Sequence, residues 1–278
     1  MINKCKINNL TNKIEECPYC KGSHIIKFGK YKSVQRYRCN CCEKTFSQRT
    51  NSVSYKSKKS LDIWERYIKL MIGCKSLREI ASELKISTVT AFYWRHKLLK
   101  SMQSLASEKS LKKSVSMIKY MAKESFKGQK NIKQNKMRKK IWIICSADSN
   151  KGAIVAPICK HLWDRKRFNE LIYSKVDKNA YIETRGDRYL YAIQNKHNKY
   201  AKEKANDLSV TLASRSLNII KYLRKKMRGV ASKYLKQYSA FVKIYSINGN
   251  YINKEIKNYL LTNKAYIISY KIKEMDCV

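Results

Sequence analysis

Hydrophobic and polar residues alternate with a period of two near the beginning of the chain. The runs Ile25–Phe28 and Gln35–Arg38 switch between apolar and polar side chains, which predicts two short strands. Gly29 and Lys30 follow the first run and predict the start of the turn between the strands. We therefore expect a small β-hairpin in this part of the chain.

The period changes to that of an α-helix after a polar connector at residues 47–60. Ser60 is expected to cap a first helix, and Gly73 is expected to end it. This helix is predicted from apolar residues at helical spacing, which are Leu61, Trp64, Ile68 and Met71.

Two further short helices are predicted next. Ser76 and Glu79 have the spacing of a capping box, which marks the start of the first of these helices. After a turn at Lys85 and Ile86, Ser87 is expected to cap the second helix. The inner faces are predicted to be Ile80, Ala81 and Leu84 in the first helix, and Val89, Phe92 and Leu99 in the second. Two helices joined in this way indicate a helix-turn-helix, whose second helix lies in the major groove of DNA.

The second half of the chain alternates predicted strands with predicted helices, which indicates an α/β domain with a mixed sheet. Lys140–Ser146 and Ala153–Ile158 are apolar runs on either side of the turn Asp148–Gly152, and they predict a hairpin. The remaining predicted elements are a helix at Trp163–Tyr173, a strand at Ala180–Thr184, a helix from about Asp187 to His197, a strand at Leu208–Ala213 and a basic helix at Asn218–Met227.

Four cysteines stand in two C-x2-C pairs on either side of the first hairpin, and they are Cys17, Cys20, Cys39 and Cys42. Because each pair turns two sulfurs towards one point, four thiolates at this spacing match a tetrahedral Zn²⁺ site. We expect a zinc ribbon with structural Zn²⁺, since four sulfur ligands leave no open position for water or substrate. Cys41 is an alternative to Cys42 as a ligand, and His24 is a weaker alternative.

The charge of the chain indicates the class of its partner. The 278 residues include 61 Lys and Arg against 20 Asp and Glu, which gives a net charge of +41. Such an excess predicts a polyanionic partner, and nucleic acid is the default. Lys127–Lys140 contains no acidic residue and is expected to be either a solvated loop or an arm that follows the phosphate backbone.

Composition also limits the cellular location. The hydrophobic fraction of 44% indicates a globular protein, and no apolar run is long enough to cross a bilayer. Since no signal peptide pattern opens the sequence, we expect a cytoplasmic, nucleoid-associated protein. In that compartment the cysteines outside the metal set are expected to be buried small hydrophobic residues, and they include Cys5, Cys74, Cys145, Cys159 and Cys277.

The second helix of the helix-turn-helix is expected to supply the contacts with double-stranded DNA. Polar residues at its first turn would enter the groove, and basic residues further along would reach phosphates or base edges. The expected DNA-binding residues are Ser87, Thr88, Thr90, Arg95, Lys97 and Lys100. An ordinary helical hairpin with a solvated basic face is the alternative interpretation.

The order of these parts resembles a family of bacterial insertion-sequence transposases. The resemblance rests on the two cysteine pairs with Gln35–Cys39 (QRYRC), on the helix-turn-helix and on two later stretches, Glu124–Gly128 (ESFKG) and Arg228–Tyr238 (RGVASKYLKQY). It covers nearly the whole chain from Cys17 to about Tyr245. The resemblance implies a DDE-type ribonuclease-H-like catalytic domain, in which acidic side chains hold two Mg²⁺ ions.

The metal-binding positions of that family carry other residues in this sequence. The resemblance places Ile118 at the first Asp, Arg185 at the second Asp and Ser214 at the third ligand. Lys119 stands where the family has Glu after the first Asp, Leu217 stands where it often has His, and Lys233 matches a family lysine. A fixed cation at position 185 opposes the binding of Mg²⁺.

We therefore expect a transposase-like DNA-binding protein without catalytic activity, either regulatory or a relic of an insertion sequence. Its cofactor would be structural Zn²⁺, and a homo-oligomer is compatible with this interpretation. If Asp148, Glu183 and Asp187 replace the missing carboxylates, the alternative is an active transposase that uses Mg²⁺ to cleave and transfer DNA strands. A second alternative is an RNA-binding zinc-ribbon protein.

These expectations divide the chain into six parts. They are a leader at 1–16, the zinc ribbon at 17–47, the helix-turn-helix domain at 60–101, a linker at 102–116, the degenerate ribonuclease-H-like domain at 117–250 and a C-terminal extension at 251–278.

Overall fold

The computed structural model contains helices and two sheets, and it divides the chain into two compact units. One unit combines residues 3–105 with residues 252–272, and the other consists mainly of residues 106–251. The structure describes residues 14–31, 34–105, 110–127, 137–150, 152–201, 207, 210–211, 213–214, 217–218, 230–248, 254–263, 267 and 271–272.

The first unit begins with a three-stranded antiparallel sheet. Its strands are β1 (Ile25–Tyr31), β2 (Val34–Cys39) and β3 (Thr45–Ser47), in the order β1-β2-β3. The predicted hairpin is therefore present, but β1 continues through the residues that were expected to turn. Gly29 has φ +66°, and the register shifts between Lys27 and Lys30, so this glycine absorbs a bulge within the strand.

Three helices follow in the first unit: α1 (Leu61–Ile72), α2 (Leu77–Glu83) and α3 (Thr88–Leu105). The capping box is confirmed, since Ser76 Oγ accepts from Glu79 N at 3.3 Å and Glu79 Oε2 accepts from Ser76 N at 2.7 Å. Ser60 lies at the N-cap of α1, but its side chain makes no capping hydrogen bond there. The predicted linker differs as well, because α3 extends to Leu105.

Aromatic packing joins α1 to α3. The rings of Trp64 and Trp94 stack with their centroids 3.8 Å apart and an interplanar angle of 13°. The hydroxyl of Tyr67 donates to the carbonyl of Ala91 at 2.5 Å. These contacts determine which side of α3 is buried, so the inner face of this helix contains Ala91, Trp94, Leu98 and Leu99.

The second unit is built on a mixed four-stranded sheet. Its strands are β4 (Ser114–Lys123), β5 (Lys140–Asp148), β6 (Ala153–Lys160) and β7 (Tyr181–Arg185), in the order β6-β5-β4-β7. The pairs β4–β5 and β5–β6 are antiparallel, whereas β4 and β7 are parallel. The hairpin and the strand predicted at Ala180–Thr184 are therefore present, and β4 already begins within the predicted linker.

Two helices, α4 (Arg165–Leu171) and α5 (Arg188–Asn198), contribute to the apolar core of this unit. Phe168 of α4 and Leu190 of α5 are fully buried with Met117 of β4. A short 3-10 helix (Tyr173–Lys175) follows α4. The βαβ connection runs from β6 through α4 to β7, so the two edge strands of the sheet contribute to one core with α4.

The strand predicted at Leu208–Ala213 is wrong where the structure describes it. Val210, Thr211 and Ala213 are helical, and Thr211 Oγ1 donates to the carbonyl of Asp207 at 3.0 Å, which is an i to i−4 contact. Six residues that alternate in polarity are too few to separate a strand from a helix by period alone. Of the basic helix predicted at Asn218–Met227, only Asn218 belongs to the described residues, and it is helical.

The end of the chain contributes to both units. In the second unit, a 3-10 turn (Ser232–Tyr234) leads into α6 (Leu235–Asn248), which packs against β6. The expected C-terminal extension contains α7 (Lys254–Thr262), and this helix packs against α1 and α3 in the first unit. Of the helices in the described ranges, none has the length and apolarity to cross a membrane.

Candidate functional site

The four predicted cysteine ligands form a compact cluster. The Sγ atoms of Cys17, Cys20, Cys39 and Cys42 all lie within 4.8 Å of one another. The Sγ atoms of Cys17 and Cys42 are 3.6 Å apart, and those of Cys20 and Cys39 are 3.5 Å apart. A tetrahedral zinc site with Zn–S bonds of about 2.3 Å has S–S edges of about 3.8 Å, so this donor set fits a metal ion such as zinc.

Backbone hydrogen bonds hold both cysteine pairs in tight turns. Lys21 N donates to Cys17 O at 3.0 Å, and Cys39 N donates to Lys44 O at 3.1 Å. Lys21 has φ +65° and Glu43 has φ +57°, so each turn has a residue in the left-handed region directly after its second cysteine. The C-x2-C spacing places two sulfurs on the same side of such a turn, as the sequence predicted.

The alternative ligands lie outside this cluster. Among the described residues, the group of side chains that lie close enough to share one metal ion contains neither Cys41 nor His24. Cys41 packs beside Gly22, where an added Cβ would approach the Cys41 Sγ to 2.8 Å. His24 contributes through its backbone, because its carbonyl accepts from Asn40 N at 2.9 Å. These two residues therefore support the shape of the ribbon.

Electrostatics favours a thiolate at Cys39. The backbone N–H of Cys42, followed by that of Cys41, lowers the pKa of the Cys39 thiol to about 6, while burial acts in the opposite direction. Metals bind the thiolate form, so this arrangement suits a ligand. By contrast, burial raises the pKa of Cys145 to about 12, which keeps this core thiol protonated as expected of a small hydrophobic residue.

The other scattered cysteines have mixed environments. Cys159 is buried like Cys145, as predicted, whereas Cys74 is only partly buried. Cys5 and Cys277 lie outside the described residues. None of the eight described cysteines forms a disulfide.

The first turn of α3 presents polar side chains to solvent. Ser87 and Thr88 are exposed, and Thr90 is half-buried. Ser87 Oγ accepts from Thr90 N at 3.0 Å, which is the predicted cap. Val89 is 61% exposed, so its predicted place on the inner face is wrong, because the stacking of Trp94 on Trp64 turns the other side of α3 inward.

The three predicted basic contacts on α3 have different environments. Arg95 is only 3% exposed and its Nη2 donates to the carbonyl of Lys75 at 2.7 Å, so its side chain is part of the helix packing. This corrects its expected contact with DNA. Lys97 is half-buried, and burial lowers its pKa. Lys100 is exposed and reaches solvent.

The positions that the resemblance assigns to metal ligands lie together in the second unit. Ile118 of β4 and Arg185 of β7 are Cα partners in the parallel pairing. The buried side chain of Ile118 belongs to an apolar cluster with Ala147, Ala153 and Ala213, against which Leu217 packs. Ser214 follows Ala213 directly and is half-buried. Ile118 therefore has apolar neighbours on the sheet face that Ala213 and Leu217 contact.

The three substitute carboxylates each have a local partner. Asp148 Oδ2 accepts from Lys112 N at 3.0 Å, and its Oδ1 accepts from the backbone of the hairpin turn. Glu183 Oε1 lies 3.3 Å from Arg185 Nη2. Asp187 Oδ1 accepts from Leu190 N at 3.1 Å at the start of α5. Asp148 therefore stabilises a turn, Glu183 forms an ion pair and Asp187 caps a helix.

Sequence analysis did not find the partner of Lys119. Its Nζ lies 2.7 Å from Asp187 Oδ2 and over the rings of Trp142 and Trp163, at 4.6 and 4.1 Å from their centroids. The pair is largely buried, with side-chain exposures of 10% and 20%. These residues are far apart along the chain, and no local pattern of charge connects them.

The two later stretches that carry the resemblance contact each other in the structure. Ser125 N donates to Ser232 Oγ at 2.7 Å, and Ser232 N donates to Ser125 O at 2.9 Å. Lys233, the matched family lysine, follows Ser232 in the 3-10 turn, and its Nζ lies 5.2 Å from the centroid of the Tyr234 ring. The end of β4 is thus joined to the start of α6.

Sequence analysis also did not single out the outward face of the ribbon sheet. Ile26 and Phe28 are 47% and 42% exposed there, and Arg36 and Arg38 lie beside them on β2. The alternation of side chains along β1 and β2 in the sequence already indicated such a face. Because an exposed apolar residue in a small ribbon is common, this signal is clear only with the strand register in hand.

Together these parts define a protein with a four-cysteine cluster that fits a metal ion, a helical unit and a mixed sheet. It is similar to an uncharacterized protein in the transposable element ISH50 of Halobacterium salinarum, with 27% identity over 126 residues. The alignment covers 44% of this chain and 41% of that relative. No family model matches the chain, and no solved structure matches it.

Proposed function

We propose that this protein binds double-stranded DNA as a transposase-like protein of an insertion element, and that it does not cleave DNA. The similarity to a protein of a transposable element supports the first part. The single observation that carries the second part is the pairing of Ile118 with Arg185, which brings an apolar side chain and a cation to the positions of two carboxylates.

The helical unit supports binding to duplex DNA. Helices α2 and α3 pack together as in a helix-turn-helix, and the exposed first turn of α3 carries Ser87, Thr88 and Val89. Hydroxyl groups at this place can bond base edges, and an apolar side chain can contact the methyl group of thymine. The exposed Lys100 lies further along the helix, where it can reach a phosphate.

The sheet supports a ribonuclease-H-like origin. The central strand β4 is antiparallel to β5 and parallel to β7, which is the arrangement expected for the domain that the resemblance implies. In that domain two Mg²⁺ ions require several oxygen ligands at one place. Here the apolar neighbours of Ile118 are Ala147, Ala153, Ala213 and Leu217. The strand pairing adds the hydroxyl of Ser116 and one carboxylate, Glu183, to the same face, and Glu183 is paired with the guanidinium group of Arg185, which disfavours such ions.

The four-cysteine cluster completes the proposal. Four thiolates would hold Zn²⁺ and fold the ribbon around it, and Zn²⁺ would supply structure and no reaction. The ribbon residues Arg36 and Arg38 would then be held in a fixed positive surface. With the net charge of +41, this surface would add affinity for phosphates that depends on salt but not on base sequence.

Competition between nucleic acids tests the proposed partner. Purified protein is bound to a labelled duplex from the ends of the element, and unlabelled duplex DNA or structured RNA is added at constant salt. We expect duplex DNA to compete at lower concentration than RNA. A Thr88→Ala, Lys100→Ala variant should lose affinity for the duplex, whereas Glu65→Gln on the exposed side of α1 should not. If RNA competes better, the protein is instead the RNA-binding alternative.

A further inference from the structure

The outward face of the ribbon sheet combines exposed apolar groups with guanidinium groups. Ile26 of β1 is the Cα partner of Arg38 of β2, so their side chains lie on the same face. The guanidinium carbon of Arg36 lies 5.5 Å from the centroid of the Phe28 ring. The opposite face carries Tyr37, which stacks on Phe46 in the small core of the ribbon.

Hydrogen bonds hold this face in shape. Arg36 Nη2 donates to Thr45 Oγ1 at 3.1 Å, which ties the guanidinium group to β3. Arg36 pairs with Ser47 and Arg38 pairs with Thr45 in the register of β2 and β3. Two hydroxyl groups therefore lie on the same face as the two arginines. A guanidinium group has five N–H donors, so one bond to Thr45 leaves Arg36 with capacity for a further acceptor.

The charge of the face limits the partner. The strands β1, β2 and β3 contain no Asp or Glu, and the nearest carboxylate in the second cysteine turn, Glu43, lies 3.6 Å from Arg38. An exposed aromatic ring between cations fits a partner that has both flat apolar surfaces and negative charge. Unpaired nucleotides have both, because a base can stack on the ring while its phosphate meets Arg or Lys.

We propose that this face binds unpaired nucleotides of a DNA strand, with Phe28 as the stacking platform. Paired bases in a duplex stack on each other and hide their faces, so this site selects single-stranded or opened DNA. Arg36, whose guanidinium carbon lies over the ring, binds the phosphate or a base edge, and Arg38 adds charge. The inference rests on the proposed function, since it adds a second form of DNA to the duplex expected at α3.

The test compares a normal and an abasic strand. The full-length, zinc-loaded protein is titrated into a fluorescein-labelled single-stranded oligonucleotide and into an abasic strand of the same length. We expect Phe28→Ala to weaken binding to the normal strand by about 10-fold, since one base–aromatic stack is worth about 1–3 kcal/mol. Binding to the abasic strand should not change. The dependence of affinity on salt should also stay constant, because Phe28 neutralises no phosphate.

Matched variants separate stacking from folding. Phe28→Leu keeps an apolar side chain and removes the aromatic face, so it should weaken binding nearly as much as Phe28→Ala. Tyr191→Ala removes an exposed ring from α5 in the other unit and should leave binding unchanged. The zinc content of each variant, measured after gel filtration, shows that the ribbon has kept its fold.

Each outcome bears on one of the two proposals. If Phe28→Ala binds the normal strand like the unchanged protein, or loses equal affinity for the abasic strand, the stacking platform is refuted while duplex binding at α3 stands. Absence of single-strand binding with intact duplex binding refutes it as well. If the protein binds neither form of DNA, the proposed function itself fails.

Discussion

Ile118 on β4 and Arg185 on β7 are Cα partners in the parallel strand pairing. The sequence resemblance assigned both positions to metal-binding carboxylates from stretches more than 60 residues apart, and the structure brings them side by side. The side chain of Ile118 is buried among alanines, whereas that of Arg185 is exposed and lies beside Glu183. The same place in the sheet thus carries an apolar group and a cation.

The pairing predicts unequal effects of restoring the carboxylates. Ile118→Asp should destabilise the second unit by about 3–5 kcal/mol, because it replaces an apolar side chain buried among alanines by a carboxylate. Arg185→Asp should change stability by less than about 0.5 kcal/mol, since its side chain is 60% exposed. Urea unfolding measures both. Equal effects of the two substitutions would contradict the assigned surroundings of Ile118.

The four-cysteine cluster predicts that metal and fold are lost together. Cys39→Ser should reduce the zinc content to below one ion per chain and unfold the ribbon, because three thiolates and a hydroxyl bind zinc far less well. Cys74→Ser, outside the cluster and partly buried, is the control and should retain zinc. Zinc is measured with a colorimetric chelator, and ribbon folding by hydrogen exchange. Full zinc retention by Cys39→Ser would show that Cys41 or His24 serves as a ligand.

Two basic residues of α3 should separate stability from binding. Arg95→Ala should lower the free energy of unfolding by about 1.5–3 kcal/mol, as it removes a buried charged donor to the carbonyl of Lys75. Lys100→Ala should leave stability unchanged. It should make the slope of log K for duplex binding against log salt concentration shallower by about one. Thermal unfolding and binding at several salt concentrations give the two values. A loss of duplex affinity without loss of stability in Arg95→Ala would restore Arg95 as a DNA contact.

The last described helix predicts that the C-terminal residues stabilise the helical unit. Leu260 of α7 is fully buried, and its carbonyl accepts from Ser101 Oγ at 3.2 Å. The hydroxyl of Tyr259 donates to Ser104 Oγ at 3.3 Å. Leu260→Ala should cost about 2–5 kcal/mol, and it should increase hydrogen exchange in α1 and α3. Exposed Asn258→Ala on the same helix is the control. Unchanged exchange in α1 and α3 would contradict this packing.

The parts of the fold that could be predicted depend on local chemistry. The spacing of the cysteines, the capping box at Ser76 and the hairpin at Asp148 each involve residues close in the chain, so the sequence contains the whole signal. The inner face of α3 could not be derived in this way. It depends on the stacking of Trp64 on Trp94, and the sequence does not show which of two apolar stripes on α3 packs against α1.

Long-range features were predicted only by resemblance or not at all. The adjacency of Ile118 and Arg185 follows from strand order, which no local pattern of the chain contains. The return of α7 to the first unit was missed, because its apolar residues Ile256, Leu260 and Leu261 fit many surfaces. The strand prediction at Leu208–Ala213 was wrong for a different reason, since so short an alternation is compatible with the period of a strand or of a helix.

The most direct test of the central claim is a cleavage assay on the ends of the element. The purified protein is incubated with end-labelled duplexes in the presence of Mg²⁺ or Mn²⁺, and complexes and products are separated on native and denaturing gels. We expect a retarded complex that weakens as salt is added, with every strand intact. Any cleaved or joined strand that depends on the metal ion would contradict the account.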